Sequence, residues 1–132
     1  MSVGLLIITH NGIGQILVQT AFDMLEAKPM DIITLEVDMN CDIDKTVQLA
    51  TASIKECNAG DGVLILTDIF GSTPSNIVSI LLPEHHACAV SGLNLPMLIR
   101  VLNYPDLALD QLAEKATSGG KDGIIFWETP TT

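Results

Sequence analysis

The sequence predicts an α/β domain: an open, three-layer, mostly parallel sheet of strand order 2-1-3-4, with a short fifth strand at the C-terminus. Three observations lead there. Apolar stretches of strand length alternate with stretches of helical periodicity along the chain. Residues 3–9 and 63–66 are almost continuously apolar, as strands buried on both faces are. Right-handed crossovers leave few orders, and 2-1-3-4 makes the first and third strands neighbours.

The first strand, residues 3–9, ends at His10, and Asn11-Gly12 breaks it. From there Ile13, Ile16, Leu17, Thr20, Ala21, Met24 and Leu25 recur at helical spacing and read as one buried face, with Pro29 stopping the helix. Residues 32–37 alternate Ile33, Leu35 and Val37 with polar neighbours, the pattern of a strand at the sheet's edge. The polar loop 40–44 offers caps for a second helix carrying Ile43, Val47, Ala50, Ile54 and Cys57, which Asn58-Ala59-Gly60 ends.

Residues 63–66 form the third, central strand. Thr73-Pro74 reads as the cap and first residue of a helix running to about residue 82. The fourth strand spans 87–90, the loop Ser91-Gly92-Leu93-Asn94 follows, and residues 95–102 are helical. Asp106 can cap a last helix bearing Leu109, Leu112, Ala113 and Ala116, which Gly119-Gly120 ends. Residues 124–127 are the fifth strand, beside the fourth. At 132 residues the whole chain, 1–132, reads as a single domain with no repeat or linker.

Charge and cysteine usage narrow the function. A formal net charge of −10, with six scattered basic residues, disfavours nucleic acid and anionic membrane surfaces. No apolar run approaches a membrane span, and the N-terminus lacks a signal-peptide pattern. Cys41, Cys57 and Cys88 fit free thiols in a reducing cytoplasm.

His10 ends the first strand, Asp68 ends its neighbour, and the switch point between such strands is where ligands bind in open α/β sheets. A carboxylate on one imidazole nitrogen fixes the tautomer and leaves the other nitrogen nucleophilic. Gly71 lets the backbone approach a bound group, Ser72 and Thr73 offer hydroxyls, and the helix starting at Pro74 presents free N–H groups. Together these predict a phosphoryl group taken covalently by His10. Neither loop holds a Lys or Arg, no Walker motif exists, and Leu17 stands where a dinucleotide fingerprint needs glycine. No cofactor is expected. His85-His86-x-Cys88 is not read as a metal site, because adjacent strand histidines point to opposite faces. Asp38, Asp42 and Asp44 lack the frame and terminal Glu of a calcium loop.

Thr9-His10, the run from Gly62 to Asn76 and the run from Ser91 to Leu98 resemble the mannose-type IIA domains of the bacterial sugar phosphotransferase system. The resemblance covers nearly the whole chain. It implies a phosphocarrier whose His10 takes phosphate from the carrier HPr and passes it to a IIB component, with Asp68 paired to the histidine. It also implies a homodimer in which the last strand, antiparallel, is exchanged between subunits. Phe70 stands where better-known members carry Trp, and the chain ends soon after Trp127, so the IIB partner is expected to be a separate protein. The rival reading is a stand-alone regulator whose His10 phosphorylation state signals to a partner. A receiver-like module phosphorylated on Asp68 ranks last, since it lacks the acidic cluster and lysine of a Mg²⁺ site.

Overall fold

The computed structural model describes residues 2–130. Four strands, β1 (Gly4–His10), β2 (Ile32–Val37), β3 (Val63–Thr67) and β4 (Ala87–Ser91), form one parallel sheet in the order β2-β1-β3-β4. Five helices cover it: α1 (Ile13–Leu25), α2 (Ile43–Cys57), α3 (Thr73–Leu81), α4 (Leu95–Leu102) and α5 (Leu109–Asp122). A 3₁₀ turn at Leu82–Glu84 leads from α3 into β4.

The layering follows from the two central strands. Side chains alternate across a strand, so a strand covered on both faces must be apolar at every position. Leu5, Ile7, Leu64 and Leu66 face one side and pack with Leu98, Val101, Leu102, Leu112 and Ala116 of α4 and α5. Leu6, Ile8, Val63 and Ile65 face the other side and pack with Ala50 and Ile54 of α2 and Ile77, Val78 and Leu81 of α3. β2 lies at the edge, as its alternation predicts, with Ile33, Leu35 and Val37 against the α2 side.

Several boundaries differ from the sequence reading. The buried side of α1 carries Gly14, Leu17, Val18, Ala21, Phe22 and Leu25, whereas Ile13, Ile16 and Met24 are exposed. Gly14 sets this phase: a Cβ there would fall 2.7 Å from Ile7 Cγ2 and 3.1 Å from Thr9 Oγ1, so only glycine lets the helix lie this close to β1. The cap of α3 is Ser72, with Thr73 the first helical residue. Asp106 caps nothing. α5 starts two residues beyond Leu107, at Leu109, and its N-cap is Ala108.

Gly119-Gly120 does not end α5, which continues to Asp122. Both glycines are buried against α4, where a Cβ on Gly119 would lie 2.5 Å from Arg100 Cβ. Close helix packing keeps them helical. Arg100 donates to Asp122 at 3.1 Å and Asn94 Nδ2 to the Gly120 carbonyl at 3.2 Å, tying down the end of α5. Residues 124–127, expected as a fifth strand beside β4, belong to no strand of this chain, and all four side chains are exposed. A strand needs a partner's ladder, and this segment meets none within its own subunit.

Candidate functional site

β1 and β3 run side by side, with Ile8 opposite Thr67, so their carboxyl ends place His10 and Asp68 together. One carboxylate oxygen does two jobs. Asp68 Oδ2 accepts the His10 backbone N–H at 3.0 Å and lies 2.9 Å from the ring Nδ1. The other oxygen, Oδ1, accepts the Ile69 N–H at 3.0 Å.

An ionised carboxylate can only accept, so the ring nitrogen facing it must carry the proton. That assigns the Nδ1–H tautomer and leaves the Nε2 lone pair free. The His10 side chain is 31% exposed and that of Asp68 only 12%. Burial pushes the Asp68 carboxyl up, but the His10 backbone N–H, its ring and the Ile69 N–H outweigh burial and hold it below the usual carboxylate range.

Sequence and backbone strain combine in the loop after β3. Gly71 sits at φ +84°, a left-handed conformation that favours glycine, and no atom lies within 4 Å of where its Cβ would be. The loop is therefore open on that side. Its hydrogen bonds run inward: the Gly71 N–H donates to Ser75 Oγ at 2.8 Å and the Ser72 hydroxyl to the Ile69 carbonyl at 2.7 Å. On the other side of His10, Thr9 Oγ1 accepts the Gly14 N–H at 2.9 Å and pins the turn into α1. Exposed apolar side chains flank the site: Ile13 and Ile16 on α1, Ile69 and Phe70 on the loop.

The predicted pair His10 and Asp68 is thus in direct contact, Gly71 and Ser72 follow in the loop after Asp68, and Thr73 opens α3. Sequence reasoning included Thr9 and Ser75 in the stretches that carry the family resemblance but gave neither a role, since no spacing marks out single hydroxyls inside regular elements. It also assigned Ile13 and Ile16 to the core, although both face solvent beside the site. His85, His86 and Cys88 lie at the opposite, amino end of β4.

Residues 4–117 match the family model described as PTS system fructose IIA component, EIIA-man. The chain belongs to this family. It is a IIA component of the sugar phosphotransferase type. A curated relative, the PTS system mannose-specific EIIAB component of Escherichia coli K12, is 26% identical over 127 residues, 94% of this chain. This IIA chain aligns with 39% of that relative's length.

Solved structures share the fold of this IIA component. The mannose/sorbose specific IIA subunit from Enterococcus faecalis superposes with a TM-score of 0.87 at 24% identity, covering 100% of this chain and 99% of that one. The phosphotransferase system component EIIA from Streptococcus agalactiae gives 0.81 at 19% identity, covering 94% and 96%. Among the described residues, no helix of the IIA chain is long and apolar enough to cross a membrane.

Proposed function

We propose that this IIA component carries its phosphoryl group on Nε2 of His10, taking it from phospho-HPr and passing it to a IIB component during sugar uptake. The observation that carries the reading is the 2.9 Å contact between Asp68 and Nδ1, which leaves the lone pair of Nε2 free.

Nε2 attacks phosphorus in line with the leaving nitrogen of the donor histidine. The new N–P bond forms as the donor's N–P bond breaks, and the donor ring takes back the electron pair. The His10 ring becomes cationic, with its Nδ1 proton still held by Asp68, and the carboxylate stabilises that charge. Transfer to IIB repeats the step with His10 as the leaving group.

Phosphoryl oxygens would meet the first turn of α3. There the Thr73 hydroxyl and the unsatisfied N–H groups and dipole of the helix end can receive them. Ser72 can join by rotating its hydroxyl away from the Ile69 carbonyl. Gly71 leaves room for close approach. No lysine or arginine lies in either loop, so the group is held without a cationic clamp, which suits a relay that must release it. Ile13 and Ile16, on the helix that follows His10, and Ile69 and Phe70, on the loop that follows Asp68, are exposed and would offer the donor and acceptor proteins apolar contacts.

The same reading makes residues 1–132 one domain and the protein a cytoplasmic homodimer. Residues 124–127 of one subunit would add to the free edge of β4 in the other. Clefts lined by Val90, Ala113 and Thr117, and by Cys88, Leu109 and Ala113, flank that edge.

Incubation with labelled phosphoenolpyruvate, enzyme I and HPr tests the assignment. Acid-labile, base-stable label on the wild type and none on His10→Ala is expected. Label persisting in His10→Ala would end the reading.

A further inference from the structure

Ser75 is the third residue of α3 and one of the few polar side chains buried in the molecule, 8% exposed. A buried hydroxyl needs partners, and those it takes show what it holds. Ser75 Oγ accepts the Gly71 N–H at 2.8 Å and donates to the Ser72 carbonyl at 2.9 Å. One hydroxyl thus clamps two consecutive residues of the loop to the rigid start of a helix.

The clamp is the first link of a chain that ends on the histidine. Fixing Gly71 at φ +84° and the Ser72 carbonyl sets the direction of the Ser72 side chain, whose hydroxyl holds the Ile69 carbonyl at 2.7 Å. The Ile69 N–H holds Asp68 Oδ1 at 3.0 Å, and Asp68 Oδ2 holds the His10 ring at 2.9 Å. From α3 to the imidazole the path alternates backbone with hydrogen bonds, each of 3.0 Å or less. An ordinary helical back-bond would account for the contact to the Ser72 carbonyl, but not for the capture of the Gly71 N–H outside the helix.

We infer that Ser75 is a positioning residue for phosphoryl transfer: by clamping the Gly71–Ser72 turn it keeps the Asp68 carboxylate seated on Nδ1 of His10. The inference rests on the proposed role of His10, but it acts on a contact that exists without any phosphoryl group. A small displacement of a group that orients a nucleophile is costly in rate.

Two variants and two readouts test it. Ser75→Ala removes both bonds. Gly71→Ala loosens the same turn from the other side, because alanine avoids φ +84° while its Cβ meets open space. Each is expected to slow phosphorylation by phospho-HPr about tenfold, the scale of one or two hydrogen bonds. The double variant should be no slower than the slower single one, since both act on one turn. In the absence of any phosphoryl donor, the ¹⁵N resonances of the His10 ring at pH 8.5 should move from the Nδ1–H tautomer toward a mixture of the two.

Unchanged ring resonances in both variants would overturn the inference, whether transfer slows through general loosening of the fold or stays at the wild-type rate. Should Ser75→Ala fail to fold, Gly71→Ala decides alone. A wild type that takes no label defeats the reading of His10 as carrier, and the ring resonances then still decide the clamp.

Discussion

Asparagine in place of Asp68 keeps a hydrogen-bond acceptor against Nδ1 of His10 and removes the negative charge. The fold should survive, and phosphoryl transfer should fall by about 10²–10⁴, the range associated with an acid–base partner and with a triad carboxylate. Rapid-quench transfer from phospho-HPr, with circular dichroism as the control for folding, checks both halves. Acid should reveal the same contact. The folded Asp68 carboxyl titrates below its ordinary value of 3.8, so its stabilising contribution is complete above that value and is lost as pH falls through the lower, folded one. Urea unfolding of wild type and Asp68→Asn should therefore give stabilities that differ most at neutral pH and converge toward pH 2. A difference that stays constant with pH would show that the charge on Asp68 contributes nothing.

Both members of this pair were legible in the sequence because strand ends are fixed by topology: once β1 and β3 are neighbours, the residues closing them must meet. The hydroxyl network was not legible. Ser72 could as well have pointed at an anion as at the Ile69 carbonyl, and Ser75 looks like any serine in a helix. Which acceptor a hydroxyl takes depends on loop geometry that no spacing encodes.

Helix α1 shows how periodicity can find an element and mistake its face. Its apolar residues form two overlapping stripes, one with Ile13, Ile16 and Met24, the other with Val18 and Phe22, and both share Leu17, Ala21 and Leu25. Packing of Gly14 on Ile7 and Thr9 chooses the second. The stripe left outside includes Ile13 and Ile16, which are exposed at the start of α1 and lie outside the core.

The end of α5 fails for a related reason. Two consecutive glycines stop a helix by propensity, but here they let α5 approach α4. A substitution distinguishes the two roles. In Gly119→Ala the new Cβ falls 2.5 Å from Arg100 Cβ, and overpacking of this kind costs about 1–3 kcal/mol. Better helix propensity offsets about 1 kcal/mol at most. Urea unfolding should show a net loss of up to about 2 kcal/mol, whereas a stabilised variant would mean that the glycines are only a flexible joint.

The molecule as a whole leaves one account open. Its sheet order follows from crossover handedness and from the apolar pattern of two central strands, and the structure reproduces it. The tail could not be placed that way, because a strand is defined by what it pairs with, and within one subunit Ile124, Ile125, Phe126 and Trp127 pair with nothing. Four exposed apolar side chains in a row and an uncovered β4 edge would complement each other across two copies, as the proposed homodimer requires. Sedimentation at micromolar concentration should find a dimer for the full chain and a folded monomer for a form cut after Gly123, which spares α5. A full-length monomer, or a truncated dimer, would contradict the exchange.

All of this serves one atom. In the proposed mechanism, the contact between Asp68 and Nδ1 makes Nε2 of His10 the nitrogen that would carry phosphorus. ¹⁵N–³¹P correlation spectra of the phosphorylated, ring-labelled protein read that position directly. A coupling between phosphorus and Nε2 of His10 is the result this mechanism predicts; a coupling to Nδ1, or phosphorus on any other residue, would contradict it.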